Sequence, residues 1–215
     1  MSLLVNEIFY SIQGESSYAG RPCVFIRLTG CNLRCLYCDT RYAYSEGFLM
    51  GAEEILERVS SYECPLVEIT GGEPLLQDET SLLTTRLLDK GHMVLLETNG
   101  SLDIGGTDER CIRIMDIKCP SSGEQKSFLP ENLGLLMGKD EIKFVIGDRQ
   151  DYEFARKMLN PIRRDCPATI CVNFSAVFEK MDARHLAEWI LGDHLDVRIN
   201  VQIQKVLWGP EQRGV

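Results

Sequence analysis

Three cysteines lie close together in the stretch "TGCNLRCLYCDT", residues 29–40. Cys31, Cys35 and Cys38 follow the spacing C-x3-C-x2-C. Thiols this close can bind a metal, form a redox pair or pack as structural residues. Polar and charged neighbours such as Arg34 suit a loop better than a core. The segment is therefore a candidate metal or redox site.

The number of thiols separates the possible metal sites. A structural zinc site needs four ligands, usually in two pairs, and the second pair is missing from this chain. Thiolates are the usual ligands of iron–sulfur clusters, and three of them leave one iron of a [4Fe–4S] cluster open. The residues favour a three-thiolate cluster, with zinc and structural or redox cysteines as the alternatives.

Length and composition limit the class of protein. The 215 residues suit one domain over 1–215, and the net charge of −9 argues against a nucleic-acid partner. There is no apolar run long enough for a membrane span and no signal peptide, so we expect a cytoplasmic location. An odd number of cysteines, nine, argues against a disulfide framework.

The elements that must position the cysteines alternate along the chain. Strands are predicted at 23–30, 65–72, 92–100, 112–120, 140–147 and 168–178, and an alternating segment at 197–208 closes the series. Helices are predicted at 52–61 and 78–91, with further helix faces at 152–159 and 186–190. Strands that alternate with helices predict an α/β fold with a mostly parallel sheet.

The polar motifs fall at the ends of these predicted strands. Cys31 follows the first strand, "TGGEP" (70–74) the second, "ETNG" (97–100) the third and "DIKC" (116–119) the fourth. Ligands bind at the carboxyl ends of the strands in such sheets. We therefore expect the four motifs to line one site.

The cysteine motif, with aromatic Tyr37 before its third cysteine, resembles the signature of radical S-adenosylmethionine (SAM) enzymes. "TGGEP" strengthens the resemblance, because that family carries a GGE motif after the next strand. The resemblance implies a partial TIM-like barrel, with a [4Fe–4S] cluster on the three cysteines and SAM on the open iron. The implied SAM contacts are Tyr37, Cys38, Asp39, Gly72, Glu73, Asp116, Lys118, Asn173 and Ser175.

The stretch "SIQGESSYAGRPCVFIRLTGCNLRCLYCDT" (11–40) narrows the resemblance to the 7-carboxy-7-deazaguanine synthase family. That family implies a lyase that converts 6-carboxy-5,6,7,8-tetrahydropterin to 7-carboxy-7-deazaguanine with loss of ammonia, in queuosine and 7-deazapurine biosynthesis. The alternative is an activating enzyme for a glycyl-radical protein, which shares the cluster motif.

Residues around the cluster motif are expected to bind the pterin. The implied contacts are Ile12, Gln13, Gly14, Glu15, Arg27, Thr70, Glu97, Gln204 and Pro210. A guanidinium at Arg27 suits the substrate carboxylate, while Gln13 and Glu15 complement the lactam and amine edge. The resemblance also assigns Thr40 as a Mg²⁺ ligand.

Two departures from the family pattern lie near the C-terminal end. Gln204 stands where many relatives carry histidine, and "EQRGV" follows Pro210, near which some relatives end. Any role of an imidazole or of a terminal carboxylate cannot be transferred unchanged. The resemblance further implies a flavodoxin- or ferredoxin-type electron donor and a homodimer, and we interpret the remaining cysteines as core residues.

Overall fold

Nine strands form one open sheet in the computed structural model, which describes residues 2–215. The strands are β1 (Ser2–Ile12), β2 (Pro22–Leu28), β3 (Phe48–Gly51), β4 (Leu66–Gly71), β5 (Met93–Thr98), β6 (Ile112–Asp116), β7 (Glu141–Ile146), β8 (Cys171–Ala176) and β9 (Arg198–Asn200). Their order is β3-β1-β2-β4-β5-β6-β7-β8-β9. An unclosed sheet of this order confirms the predicted partial barrel.

Every neighbouring pair from β2 to β9 is parallel. Only β1 runs against its neighbours, pairing antiparallel with both β2 and β3. The loops that follow the parallel strands therefore meet at one edge of the sheet, as the positions of the motifs predict.

Five α-helices connect or follow the strands within residues 2–215, and all but the last bury apolar residues against the sheet. They are α1 (Ala52–Ser60), α2 (Thr80–Asp89), α3 (Arg149–Asp165), α4 (Ala183–Gly192) and α5 (Ile203–Trp208). At the start of α3, the Asp148 side chain accepts a hydrogen bond from Asp151 N and so caps the first turn. Within residues 2–215, no helix is long and apolar enough to cross a membrane.

Two apolar clusters support the two halves of the sheet. One surrounds Ile26 and Val67, and the other surrounds Phe144 and Phe174. The two phenylalanine rings meet edge to face with centroids 5.7 Å apart, a favoured aromatic geometry. Both clusters lie beneath strands whose carboxyl ends carry the polar motifs, so they give those motifs a rigid base.

Strands β1 and β3 were not among the predicted elements. In β1, Leu3 and Val5 are buried in alternation, but the register shifts between Val5 and Glu7. This bulge interrupts the two-residue period on which strand prediction depends. The N-terminal segment is consequently a long strand that delivers "QGE" to the motif edge.

The strand prediction for 197–208 is wrong over most of its length. Strand β9 has only three residues, Arg198–Asn200, and residues Ile203–Trp208 form helix α5. The backbone N–H of Ile203 donates to Gly14 O over 3.1 Å. The chain therefore leaves the sheet to contact the segment after β1, a long-range interaction with no local sequence signal.

Candidate active site

The loop after β2 presents the three cysteines. All three thiols are half-buried, while Leu33 beside them is buried and anchors the loop. The backbone N–H of Cys38 donates to Cys35 O over 3.2 Å, which closes a turn between these two ligands. Burial raises the pKa of Cys31, and it raises that of Cys35 to about 11. Metal binding would therefore release thiol protons.

The geometry around the thiols is not that of a single-ion site. Within residues 2–215, no group of three or more Cys, His, Asp or Glu side chains has an arrangement that could hold one metal ion. The three cysteines nevertheless share one loop, in which Cys31 and Cys38 line the cavity described below and Cys35 does not.

The glycine turn after β4 packs directly against the cysteine loop. Gly71 has φ of 150°, a conformation that side chains rarely adopt, and Gly72 contacts Gly30 and Cys31. A Cβ on Gly72 would lie 2.6 Å from Cys31 Cβ. Glycine is thus required for the close approach that places this turn beside the thiols.

Glu73 connects the ends of β4 and β5 through hydrogen bonds and does not line the cavity. Its buried carboxylate accepts hydrogen bonds from Asn99 N at 2.7 Å, Leu75 N at 3.0 Å and Thr98 Oγ1 at 2.9 Å. Burial raises the pKa of Glu73, and these hydrogen bonds partly offset that effect. Gly72 reaches the cavity as predicted, whereas the Glu73 side chain joins β4 to β5 beneath it.

A cavity of about 610 Å³ opens at the carboxyl ends of the parallel strands. Most of the predicted site residues line it: Ile12, Gln13, Gly14, Glu15, Arg27, Cys31, Tyr37, Cys38, Asp39, Thr40, Thr70, Gly72, Glu97, Asp116, Lys118, Gln204 and Pro210. The fold thus brings together residues from β1 to the C-terminal segment.

Asn173 and Ser175 do not reach this cavity. Asn173 Nδ2 donates to Glu141 Oε2 over 2.7 Å, and Ser175 Oγ donates to Asn200 O over 2.9 Å. Both side chains are buried within the sheet, where they tie β8 to its two neighbours. The structure therefore gives them internal partners in place of the predicted exposure to SAM.

The segment after β1 is held by buried polar contacts. Gln13 Nε2 donates to Glu68, and Gln13 Oε1 accepts from Glu15 N over 2.9 Å. Burial, and then the nearby Glu97 carboxylate, raise the pKa of Glu68 well above 4.5, which favours its protonated form. The nitrogen and the oxygen of the Gln13 amide thus each make a hydrogen bond, and the second of these contacts holds Glu15 at the cavity.

Two glutamines from the C-terminal segment complete the surroundings of Glu15. Gln202 Nε2 and Gln204 Nε2 donate to Glu15 Oε1 over 2.9 and 3.0 Å. Gly14 contacts Gln204 so closely that a Cβ there would collide with its amide. Gln204 Oε1 is buried without a hydrogen-bond partner among the described residues. Gln204, which stands where many relatives carry histidine, therefore still donates a hydrogen bond to Glu15.

The Nε atom of Arg27 is held by an ion pair, whereas its Nη groups are free of that contact. Its Nε donates to Glu7 Oε1 over 2.7 Å, and Tyr42 OH donates to the same oxygen over 3.1 Å. The guanidinium lines the cavity, and this contact uses Nε alone. The Nη groups can therefore serve a ligand carboxylate in the forked geometry that guanidinium favours.

Lysines pair with the carboxylates of the cavity. Lys118 lies two residues beyond the end of β6, and its Nζ donates to Asp116 Oδ2 over 2.9 Å. Burial would raise the pKa of Asp116, but Lys118 and Lys143 together lower it. Asp116 Oδ1 is buried without a partner among the described residues. An acceptor of this kind at the cavity wall fits a ligand hydroxyl or ammonium group.

Thr40 lies beside a charged pair at the cavity rim. Its Oγ1 donates to Asp39 Oδ1 over 3.0 Å, and Lys205 Nζ lies 2.6 Å from Asp39 Oδ2. Burial acts to raise the pKa of Asp39, but Lys205 and the hydrogen bonds lower it. A hydroxyl and a carboxylate oxygen, both ligands that Mg²⁺ accepts, thus lie side by side.

Several cavity residues had no prediction. Lys143, Glu68 and Lys205 line the cavity, and so does the segment 209–215 after α5. A charged residue inside an apolar strand, as in "EIKFVI" (141–146), was the available signal for Lys143. Among the remaining cysteines, Cys171 is half-buried and the others are buried, so the core interpretation is wrong for Cys171 alone.

Comparison with known proteins identifies the family of the chain. Residues 25–189 match the family model of the radical SAM superfamily. The chain is 44% identical over 225 residues to a 7-carboxy-7-deazaguanine synthase of Koribacter versatilis, with 98% of this chain and 99% of that protein covered. It is also 44% identical over 218 residues to the synthase of Chlorobaculum tepidum, covering 99% and 97%.

A solved structure shares the fold. The crystal structure of QueE from Escherichia coli matches with a TM-score of 0.78 and 23% sequence identity, over 94% of each chain. The identity is low, so this match bears on the fold alone. It agrees with the open, mostly parallel sheet found here.

Proposed function

This chain belongs to the 7-carboxy-7-deazaguanine synthases of the radical SAM superfamily, and we propose that it converts 6-carboxy-5,6,7,8-tetrahydropterin to 7-carboxy-7-deazaguanine with loss of ammonia. One observation carries the proposal: the cysteine loop, Gln13–Glu15 and Arg27 line a single cavity. Its volume of about 610 Å³ falls in the usual range for small-molecule sites, roughly 300–1,000 Å³. The relatives favour this reading over activation of a glycyl-radical protein.

The residues present fit the cofactors of the superfamily, a [4Fe–4S] cluster and SAM. Cys31, Cys35 and Cys38 would hold the cluster, and the glycine turn at Gly72 keeps side chains away from it. The unpartnered Asp116 Oδ1 offers SAM an acceptor. When bound, the cluster and SAM supply the one-electron chemistry that removes a hydrogen atom from the substrate.

The polypeptide binds and orients the substrate in this proposal. Arg27 Nη groups receive the pterin carboxylate, while Glu15 accepts hydrogen bonds from the amine and lactam edge. Gly14 lets Gln204 pack against the backbone beside Glu15, because a side chain there would collide with the Gln204 amide. Thr70 and Glu97, joined by a 3.2 Å hydrogen bond, complete the polar wall.

Further parts of the proposal concern Mg²⁺ and partners. Thr40 would supply a hydroxyl ligand to Mg²⁺, with water and substrate completing the coordination. A flavodoxin- or ferredoxin-type protein would donate the electron, and two copies of the chain would form a homodimer. The cytoplasmic location stays a prediction from the sequence.

Activity of the reconstituted protein tests the function directly. Purified protein, reconstituted anaerobically with iron and sulfide, is incubated with SAM, a reductant and the carboxytetrahydropterin, and the product is identified by mass. We expect 7-carboxy-7-deazaguanine from the wild type and none from Cys35→Ala. Cys64→Ala, which removes a buried thiol outside the cavity, serves as the matched control. A brown, SAM-cleaving wild type that makes no deazapurine would contradict the proposal.

A further inference from the structure

One buried ammonium group contacts three carboxylates in the cavity. Lys143 Nζ lies 3.1 Å from Glu15 Oε2 and 3.6 Å from Asp116 Oδ2, and it donates directly to Glu97. Only 6% of Lys143 is exposed, so water cannot replace these contacts. Of the three N–H donors of the ammonium, two serve Glu15 and Glu97 at hydrogen-bond distance, and the Asp116 carboxylate lies slightly farther away.

The four groups come from four separate parts of the chain. Lys143 lies on β7, Asp116 on β6 and Glu97 on β5, while Glu15 follows β1. Asp116 and Lys143 are register partners across β6 and β7, so their side chains share one face. Glu15 approaches from the far end of the sheet order, and Lys143 therefore connects the segment after β1 to the centre of the sheet.

Without this cation, the carboxylates would be buried close to other acids. Glu15 faces Asp39 and Glu68 in addition to Lys143, and Glu97 faces Glu68. Burial acts to raise the pKa of Glu15, but the charge of Lys143 and the hydrogen bonds from Gln202 and Lys143 together outweigh it, and the pKa is lowered from 4.5. The cation therefore helps to keep Glu15 ionised at the cavity wall.

A buried ion pair elsewhere in the sheet shows what a purely structural role looks like. Arg113 Nη2 lies 2.6 Å from Asp140 Oδ2, and Arg113 Nε and N–H also donate to this carboxylate. Neither residue lines the cavity. Lys143 differs because both it and its carboxylate partners line the cavity, so its contacts determine what a ligand meets.

We propose that Lys143 is a positioning residue for the ring contraction, which holds Glu15 and Glu97 so that their oxygens accept hydrogen bonds from the amino and lactam N–H groups of the pterin. The inference rests on the proposed function and assigns the substrate class that the carboxylate pair selects: a heterocycle with adjacent N–H donors. Lys143 acts through these carboxylates and does not contact the reacting atoms.

Three variants test the inference: Lys143→Met, Lys143→Arg and, as the matched control, Lys90→Met at the exposed residue that follows α2 and does not line the cavity. Each is reconstituted, its iron–sulfur absorbance is compared with the wild type, and KM, kcat and the pH dependence of kcat/KM are measured. Equilibrium binding of the carboxytetrahydropterin to each variant, by calorimetry, gives a readout that is independent of turnover.

For Lys143→Met we expect wild-type iron–sulfur absorbance, a KM and a dissociation constant raised roughly 100-fold, and an acid limb of kcat/KM moved to higher pH. Lys143→Arg should restore part of the affinity and return the acid limb toward the wild type, and Lys90→Met should match the wild type. Unchanged affinity and an unchanged acid limb in Lys143→Met would overturn the inference.

Lys143→Gln carries the test if Lys143→Met does not fold. It removes the ammonium charge while keeping a polar side chain, so a raised KM and dissociation constant support the inference and wild-type values overturn it. Absence of product from the wild type would contradict the proposed function instead. Even if the wild type makes no product, calorimetry still compares binding of the carboxytetrahydropterin to the wild type and to the Lys143 variant. Failure of the proposed function and failure of the inference about Lys143 are therefore distinguishable.

Discussion

Gly72 lies against Cys31 so closely that a methyl group on Gly72 would stand 2.6 Å from Cys31 Cβ. Non-bonded carbons need about 3.5–4.0 Å. The turn after β4 and the cysteine loop after β2 therefore fit together only because Gly72 has no side chain. This contact fixes the position of the first thiol relative to the end of the neighbouring strand.

Gly72→Ala should impair assembly of the cluster while leaving the fold intact. The added methyl group must displace the loop that carries Cys31, whereas the rest of β4 lies in the core and keeps its packing. We expect normal circular dichroism and an iron content after reconstitution well below that of the wild type. Gly106→Ala is the control, because no atom lies within 4 Å of a Cβ there. Equal iron content in the two variants would contradict the steric argument.

Arg27→Lys should weaken substrate binding more than it slows turnover. Lysine cannot bridge Glu7 through Nε and still offer two parallel donors to a carboxylate. A charged hydrogen bond is worth about 1.5–3 kcal/mol, so we expect KM to rise roughly 10- to 100-fold with kcat less affected. Arg21→Lys, an exposed change outside the cavity, should leave KM unchanged. A wild-type KM in Arg27→Lys would show that Arg27 does not bind the substrate and serves only in its ion pair with Glu7.

Glu15 should make stability depend on pH through its contact with Lys143. Its pKa is lowered in the folded protein, so the stabilisation is present above the unfolded value of 4.5 and is lost as the pH falls through the folded value. As the pH falls below about 5, the unfolding free energy of the wild type should decrease more steeply than that of Glu15→Gln. The difference in slope reaches at most about 1.4 kcal/mol per pH unit.

Urea denaturation of the cofactor-free proteins at several pH values measures these slopes. Glu54→Gln, an exposed change on α1, provides the control and should follow the wild type. Parallel curves for the wild type and Glu15→Gln would show that the Lys143 contact does not stabilise the folded chain.

The positions of the motifs at strand ends could be predicted because local signals determine them. The glycine turn at Gly72 and the polar residues Glu97 and Asp116 each follow an apolar strand pattern. Parallel pairing then brings all of them to one edge of the sheet. Together with Cys31, they line the cavity as expected.

Contacts between distant parts of the chain could not be predicted in the same way. Lys143 and Arg113 are both cations inside apolar strands, and their local sequences do not separate a cavity residue from an internal ion pair. Only their partners differ: Glu15 and Glu97 for Lys143, and buried Asp140 for Arg113. The contact of Ile203 with the segment after β1 is equally remote, which is why helix α5 was predicted as strand.

Under the proposed role of Thr40 as a Mg²⁺ ligand, Thr40→Ala should weaken activation by Mg²⁺ without affecting the cluster. The substitution removes an oxygen beside Asp39, while Cys38 and its loop keep their backbone contacts. Loss of one interaction at a metal site costs roughly 10- to 100-fold in metal affinity, so the Mg²⁺ concentration for half-maximal activity should rise by that factor. Thr40→Ser, which keeps the hydroxyl, should stay close to the wild type, and Thr85→Ala on α2 controls for loss of a threonine elsewhere. Superimposable Mg²⁺ titrations of Thr40→Ala and the wild type, at equal iron–sulfur absorbance, would remove Thr40 from the metal site.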